Sequence, residues 1–252
     1  MAEGRNETVG DRPRLSLAPT GETGWAPEAA LAPGARAVPG AQFTLRGGKS
    51  RRRTAWVLGA TGALIATDRN SMQALTSAFA GDTDNDALLS AIETFGSESG
   101  IASVIGLYAL GDRYDKQTAR IASRALGTTL VQTQVLKTLT GRDRPRVAGA
   151  RGAFHGPGAS DTAQSFPSGH AATAFTLATV YGKRYPKWKW PLYGLAAGVG
   201  WARMRHDAHF PSDIFVGAAI GVHNGRRELR RAKRSRAVAP APPAAAAENL
   251  MP

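Results

Sequence analysis

The amino-acid sequence predicts an all-α protein, a bundle of six helices. No segment alternates between apolar and polar residues for long, as a half-buried strand would. Small and apolar residues, mainly Gly, Ala, Thr, Leu and Val, instead dominate six stretches of the chain. Closely spaced glycines in three of these stretches would allow helices to approach one another. The predicted helices span about residues 54–67, 99–111, 119–138, 169–183, 190–204 and 211–224.

The two ends of the chain differ from this helical region. Residues 1–50 are rich in Gly, Pro and Ala without an apolar period, so we expect them to be disordered. No apolar segment follows the start of the chain, and a secretory signal is therefore not predicted. The rest divides into a helical domain, 51–225, and a basic, then Ala- and Pro-rich flexible tail, 226–252.

Three short polar segments lie at the ends of the predicted helices. The first ends the third helix, the second opens the fourth, and the third joins the fifth and sixth. Together they supply three cations, one hydroxyl, one glycine amide, two imidazoles and one carboxylate. This set of groups suits a tetrahedral, phosphate-like anion that a histidine attacks. The segments are Lys137-x6-Arg144-Pro145, Pro167-Ser168-Gly169-His170 and Arg203-x5-His209-x3-Asp213.

The cationic and amide groups are those that hold a phosphate. The guanidinium groups of Arg144 and Arg203 can each bind two oxygens, whereas Lys137 acts as a point charge. Ser168 can donate its hydroxyl, and Gly169 lets the backbone approach closely enough to donate an N–H. Because an apolar helix follows them, free N–H groups at its start would also favour an anion.

The two histidines are suited to different roles. His209 and Asp213 are four residues apart and would share one face of a helical turn. The carboxylate can accept a proton from one ring nitrogen, which leaves the other nitrogen as a nucleophile. His170 then remains as a general acid for the leaving oxygen.

These three segments resemble the tripartite motif of the type 2 phosphatidic acid phosphatase (PAP2) superfamily, which includes class A acid phosphatases and vanadium haloperoxidases. The resemblance covers roughly residues 55–225 and implies that hydrolysis needs no metal or other cofactor. It also implies that His209 forms a phosphohistidine, that Asp213 orients it and that His170 protonates the leaving group. The residues implied to hold the phosphate are Lys137, Arg144, Ser168, Gly169 and Arg203.

One position departs from the family pattern. Ala202 stands where the family usually has a serine before the arginine of the third segment. A small residue is kept there, so close helix packing survives, although one hydrogen bond near the phosphate can be missing.

The distribution of charge favours a membrane over nucleic acid as a partner. The formal net charge is +13, and much of the excess lies in two clusters, Arg46–Arg53 and Arg226–Arg236. These clusters flank the apolar region and do not alternate with aromatic residues, which is typical of cytoplasmic membrane anchors. We therefore expect no nucleic-acid partner, and nothing in the sequence predicts an oligomeric state.

Charges in the predicted loops favour helices that cross a bacterial inner membrane. None of the six stretches clearly reaches the ~20 apolar residues of a spanning helix. If all six cross, however, most basic loops fall on one side, as the positive-inside rule requires, although the arginine-rich loop before residue 169 does not. Both termini would then be cytoplasmic, and all three motifs would form an active site at the outer end of a transmembrane bundle.

The resulting hypothesis is a metal-independent phosphatase that acts on a phosphomonoester or diphosphate through a phosphohistidine. A lipid such as phosphatidate or a polyprenyl diphosphate is the favoured substrate. Three alternatives stay open: a vanadate-dependent haloperoxidase with vanadate on His209, a soluble acid phosphatase acting on water-soluble esters, and a non-enzymatic transport or lipid-binding protein. His206 and His209 are also spaced like metal ligands, but no third ligand at a fitting spacing accompanies them and the chain has no cysteine.

Overall fold

Helices form most of the chain that this computed structural model describes, which is residues 48–78, 86–147 and 152–238. Within these ranges there are seven α-helices, two short 3-10 helices and no β-strand. The 3-10 helices span Asp161–Ala163 and Pro186–Trp188. The α-helices are α1 (Gly48–Ala78), α2 (Asp86–Thr94), α3 (Glu98–Ala109), α4 (Arg113–Thr140), α5 (Gly169–Arg184), α6 (Lys189–Arg205) and α7 (Pro211–Val238).

The all-α class is confirmed, but the count of six helices is wrong. Each predicted helix corresponds to an observed one, whereas α2 was not predicted because its nine residues are too few for a clear helical period. Helix α7 also continues through the basic segment to Val238, beyond the predicted end at 224. Arg, Lys and Ala are good helix formers, and a prediction based on apolar residues overlooks them.

The predicted terminal segments lie mostly outside the described residues. Residues 1–47 and 239–252 are not among them, so the disorder expected there and the flexible Ala- and Pro-rich end stay predictions. Residues 48–50, which were also expected to be disordered, instead begin α1. In the part of the tail that is described, residues 226–238 are helical and not flexible coil.

Helix α5 is the centre of the bundle. It packs against α4, α6 and α7, and 11 of its 16 residues are buried. One core cluster joins Ile121, Ala122, Ala125 and Leu126 of α4 to Leu177, Val180 and Tyr181 of α5. A second cluster joins Ala174 and Ala178 to Ala196 and Val199 of α6.

Glycines of α7 bring its backbone against α5. A Cβ atom added at Gly217 would lie 2.5 Å from the backbone oxygen of Ser168, and one at Gly221 would overlap the backbone oxygen of Ala172. The predicted close helix approach at these glycines is therefore confirmed. Because Ser168 precedes α5 and Gly217 follows Asp213, this contact also holds two of the three motifs together.

Two local features direct the chain around the end of the bundle. Gly141 ends α4 in the left-handed conformation, with φ of 52°, and its N–H donates to the oxygen of Lys137. Ser168 caps α5, because its side-chain oxygen accepts a hydrogen bond from the N–H of Ala171 at 3.3 Å. Lys137 and the Pro-Ser-Gly-His segment are thus each placed by a helix terminus.

None of the described helices combines the length and apolar character that crossing a bilayer requires. The transmembrane arrangement therefore stays a prediction.

Candidate active site

The three motifs lie at one end of the bundle, where α4 and α6 end and α5 and α7 begin. The N–H of Ser168 donates to the backbone oxygen of Asp213 at 3.0 Å, which joins the second motif to the third. A Cβ atom at Gly169 would lie 3.9 Å from Nζ of Lys137, which places the first motif against the second. The segments that the sequence separates by up to 76 residues, from Lys137 to Asp213, therefore form one site.

Three cations line this site and repel one another. Burial, then Arg144 and Arg203, lowers the pKa of Lys137 to about 8. Burial and the neighbouring cations Arg146 and Arg203 likewise lower the pKa of Arg144. The Nε atoms of Arg144 and Arg203 are buried without a hydrogen-bond partner among the described residues. Such crowded, incompletely paired cations are suited to an anion with several oxygens.

His170 lies among the same cations. Burial, followed by Arg203, His209, Lys137 and Arg144, lowers the pKa of His170 to about 4. The imidazole is therefore mostly neutral at pH 7 in this structure. A phosphate bound between the cations would oppose their effect and favour the protonated ring, because an opposite charge nearby stabilises the charged form.

His209 is buried, with 1% of its surface exposed, and its Nδ1 atom faces Ser165 and Asp213. Nδ1 is 3.5 Å from Oγ of Ser165 and 3.7 Å from Oδ2 of Asp213. Ser165 in turn donates to the same carboxylate oxygen at 2.6 Å, and the N–H of Phe210 does so at 2.8 Å. The carboxylate is therefore near the imidazole as predicted, and a serine that the sequence did not indicate lies beside both groups.

The charge states of this pair follow from their surroundings. Burial lowers the pKa of His209, and the adjacent Asp213 only partly offsets this. Burial alone would raise the pKa of Asp213, but His209, Arg142 and Ser165 together bring it below its usual range. A neutral imidazole beside an ionised carboxylate leaves Nε2 of His209 free to act as a nucleophile.

Part of the chain matches a known protein family. Residues 119–231 match the family profile of the PAP2 superfamily. This stretch, which is less than half of the chain, contains all three motifs, from Lys137 to Asp213, and most of the helices α4 to α7 that carry them.

Lipid A 1-phosphatases are among the curated relatives of this chain. One from Porphyromonas gingivalis is 42% identical over 64 residues, which are 24% of this chain and 14% of that protein. Another, from Rhizobium johnstonii, is 33% identical over 90 residues, which are 35% of this chain and 37% of that protein. The matches thus span less than two fifths of the length of either relative.

Two crystal structures share the fold. Aquifex aeolicus LpxE superposes with a TM-score of 0.53 at 25% identity, over 65% of this chain and 94% of that one. The first transmembrane PAP2 type phosphatidylglycerolphosphate phosphatase from Bacillus subtilis superposes with a TM-score of 0.56 at 19% identity, over 71% and 96%. At the latter identity the likeness shows the fold alone.

Sequence reasoning missed a buried network directly behind the PAP2 motifs. The guanidinium group of Arg142 donates to Asp213 at 2.6 Å and to Asp68 of α1 at 2.7 Å. It also donates to Oγ of Ser212 at 2.6 Å and to the backbone oxygen of Gly152 at 3.3 Å. Arg142 could have been suspected from its place inside the first motif, but no spacing connects Asp68 to any motif.

Two histidines outside the motif positions, His155 and His206, have carboxylate partners of their own. Nδ1 of His206 is 2.9 Å from Glu93 of α2, which also accepts a hydrogen bond from Arg203 at 3.1 Å. His155 pairs with Asp143 at 2.9 Å. Across the described ranges no three His, Cys, Asp or Glu side chains are grouped as a metal site. Glu93 was not predicted, and it holds one of the proposed phosphate ligands from the unpredicted helix.

Proposed function

We propose that this chain is a metal-independent, PAP2-type phosphatase that hydrolyses a phosphomonoester or diphosphate of a lipid through a phosphohistidine. The observation that carries the proposal is the buried imidazole of His209, which lies beside a carboxylate and close to three cations. Two of these cations, Arg144 and Arg203, have a buried Nε atom without a hydrogen-bond partner among the described residues. Lys137, Arg144 and Arg203 would hold the phosphate oxygens, with the hydroxyl of Ser168 and the N–H of Gly169 as further donors.

In the first step Nε2 of His209 attacks phosphorus. The bond from phosphorus to the leaving oxygen breaks, and His170 gives that oxygen its proton. The imidazole of His209 then carries a positive charge, which the nearby carboxylate of Asp213 stabilises. The products of this step are the free alcohol, or the lower phosphate, and a phosphohistidine.

In the second step water attacks the phosphohistidine. His170, now neutral, takes a proton from the water, and the bond between phosphorus and Nε2 breaks. Inorganic phosphate leaves, and His209 returns to the neutral ring with which the cycle began. Each proton that His170 donates in the first step is thus regained in the second.

A lipid substrate is favoured by the surface beside the site and by the relatives. Val131, Val135 and Leu139 are exposed at intervals of four residues on α4, the helix that carries Lys137. Such an apolar stripe can contact acyl or polyprenyl chains while the cations hold the head group. The relatives named lipid A 1-phosphatase add a glycolipid phosphate to phosphatidate and polyprenyl diphosphate as candidate classes.

The proposed location follows from the same substrates. A lipid reaches the site by lateral diffusion if the end of the bundle faces a membrane. We place that end at the outer face of the bacterial inner membrane, with both termini in the cytoplasm, as the loop charges predict.

A phosphate-release screen of the purified full-length protein tests the proposal. Phosphatidate, a polyprenyl diphosphate, a lipid A-type phosphate and a water-soluble ester are compared with and without a chelator. We expect lipid hydrolysis that resists the chelator, is abolished in His209→Ala and is unchanged in His223→Ala, a matched change at an exposed histidine of α7. Full activity in His209→Ala, or complete loss with the chelator, would refute the mechanism.

A further inference from the structure

A buried carboxylate on the first helix is part of the active-site network. Asp68 of α1 is 1% exposed, although a carboxylate is rarely buried so completely without partners. It accepts hydrogen bonds from Arg142 at 2.7 Å, from the N–H of Ser212 at 3.0 Å and from Oγ of Ser212 at 2.5 Å. Asp68 lies 51 residues before the stretch that matches the PAP2 profile, which begins at residue 119.

Arg142 connects this carboxylate to the one beside the nucleophile. One terminal nitrogen of Arg142 donates to Asp68, and the other donates to Oδ1 of Asp213 at 2.6 Å. The rings of Phe154 and Phe210 lie over the guanidinium group, with their centroids 4.9 and 4.3 Å from its Cζ atom. The guanidinium group is therefore held in place between two carboxylates and two aromatic rings.

The charges in this network do not cancel. Arg142 alone would neutralise Asp213, because the two form a buried pair at 2.6 Å. With Asp68 present, one positive and two negative charges leave a net charge of −1 next to His209. In a buried environment an uncompensated charge is costly, so this surplus matters when the imidazole becomes cationic.

We propose that Asp68 is a positioning residue that takes up the charge of Arg142 and so keeps the negative charge of Asp213 available to His209. This inference rests on the proposed function, since it requires a positive charge to develop on that imidazole. It assigns α1 a part in catalysis that its distance in sequence from the three motifs does not indicate.

Asp68→Asn tests the inference, because it keeps the shape of the side chain while removing the charge and one of the two acceptor oxygens. We expect kcat to fall about 10- to 100-fold, the range seen when an outer hydrogen-bond partner is lost behind the ligands of a metal site, with KM within about threefold. Glu228→Gln is the matched control, a buried carboxylate of α7 that belongs to the charged far end of the helix and should leave kcat unchanged.

The pH profile separates this role from a merely structural one. The charged or titratable groups facing His209 are Asp213 and, from the neighbouring helices, Lys137, His170 and Arg203, with Arg142 and Asp68 behind them. Loss of a negative charge disfavours the imidazolium, so in Asp68→Asn the acid limb of kcat/KM should move to lower pH. An acid limb at the wild-type pH with kcat within twofold would overturn the inference.

A double variant separates an effect of the lost charge from an effect of a disturbed fold in Asp68→Asn. Asp68→Asn with Arg142→Gln restores the net charge of −1 at Asp213, so its acid limb should return to the wild-type pH. A purely structural network predicts no such return and a further loss of kcat below the single variant, which would count against the inference.

If wild-type protein releases no phosphate from any substrate, the proposed function itself fails. If the wild type is active but the acid limb of kcat/KM does not move in Asp68→Asn, only this inference fails.

Discussion

At the scale of single residues, the surroundings of the site disfavour the protonated forms of its basic groups. Lys137 and His170 are both less readily protonated than in water, because burial and adjacent cations disfavour their charged forms. A bound phosphate reverses this effect for both residues. Under the proposed mechanism, phosphate binding and protonation of His170 are therefore coupled, so that the proposed general acid is charged mainly when a phosphate is present.

We predict that phosphate binding weakens as the pH rises through about 8. The pKa of Lys137 is lowered to about 8, so above that pH the free protein loses one of the cations that hold the anion. Calorimetric titration with inorganic phosphate between pH 6 and 9.5 measures this dependence. Lys137→Met should bind phosphate more weakly at pH 6, but its affinity should no longer decrease near pH 8. If the decrease near pH 8 is unchanged in this variant, Lys137 is not its source.

At the scale of elements, the site depends on how closely α5 and α7 approach. Gly217, Gly221 and Gly225 of α7 all lie where a Cβ atom would meet α5 at less than ordinary van der Waals distance. These helices carry His170 and Asp213 at their first turns. Any separation of the helices would thus move the two halves of the site apart.

We predict that Gly221→Ala destabilises the protein and lowers its activity. The added methyl would overlap the backbone oxygen of Ala172, and overpacking of this kind typically costs about 1–3 kcal/mol of unfolding free energy. Gly127→Ala is the control, because nothing lies within 4 Å of its added Cβ and alanine favours a helix by up to about 1 kcal/mol. Urea unfolding and phosphate release measure both effects; equal stability of the two variants would contradict the close contact.

The sequence predicted what local patterns encode. The positions of the three motifs at helix ends and their convergence followed from spacing and from the family resemblance, and the structure brings these residues together. Asp68, Ser165 and Glu93 could not be found in this way, because each reaches the site only through tertiary packing. Helix α2 was missed because it is short, and the end of α7 was missed because charged helix formers lack an apolar signal.

At the scale of the whole molecule, a dense cluster of positive charge and the candidate site lie at opposite ends of α7. The second half of α7 contributes seven cations between Arg226 and Arg236, whereas the site lies at the start of the same helix. A basic segment of this kind attracts anionic lipid, at about 1 kcal/mol per cation near the surface. The basic end of α7 can then bind anionic lipid while the site at the other end of the helix binds a lipid substrate.

We predict that the detergent-solubilised protein binds phosphatidylglycerol in mixed micelles and that binding weakens as salt is raised. Screening shortens the reach of surface charges to about 3 Å at 1 M salt, so binding should fall steeply between about 0.05 and 0.5 M salt. Replacing Arg230 and Arg234 by Gln should weaken binding, whereas replacing both by Lys should not. Salt-independent binding would point to apolar contacts instead.

The central claim is that His209 itself carries the phosphoryl group during turnover. Detection of the intermediate tests this most directly: the enzyme is mixed with substrate, quenched in alkali, in which phosphohistidine survives, digested and mapped by mass spectrometry. We expect a phosphoryl group on the peptide that contains His209, and its absence from the corresponding peptide of His209→Ala. Turnover without any phosphoryl group on that peptide, or with the group on another residue, would contradict it.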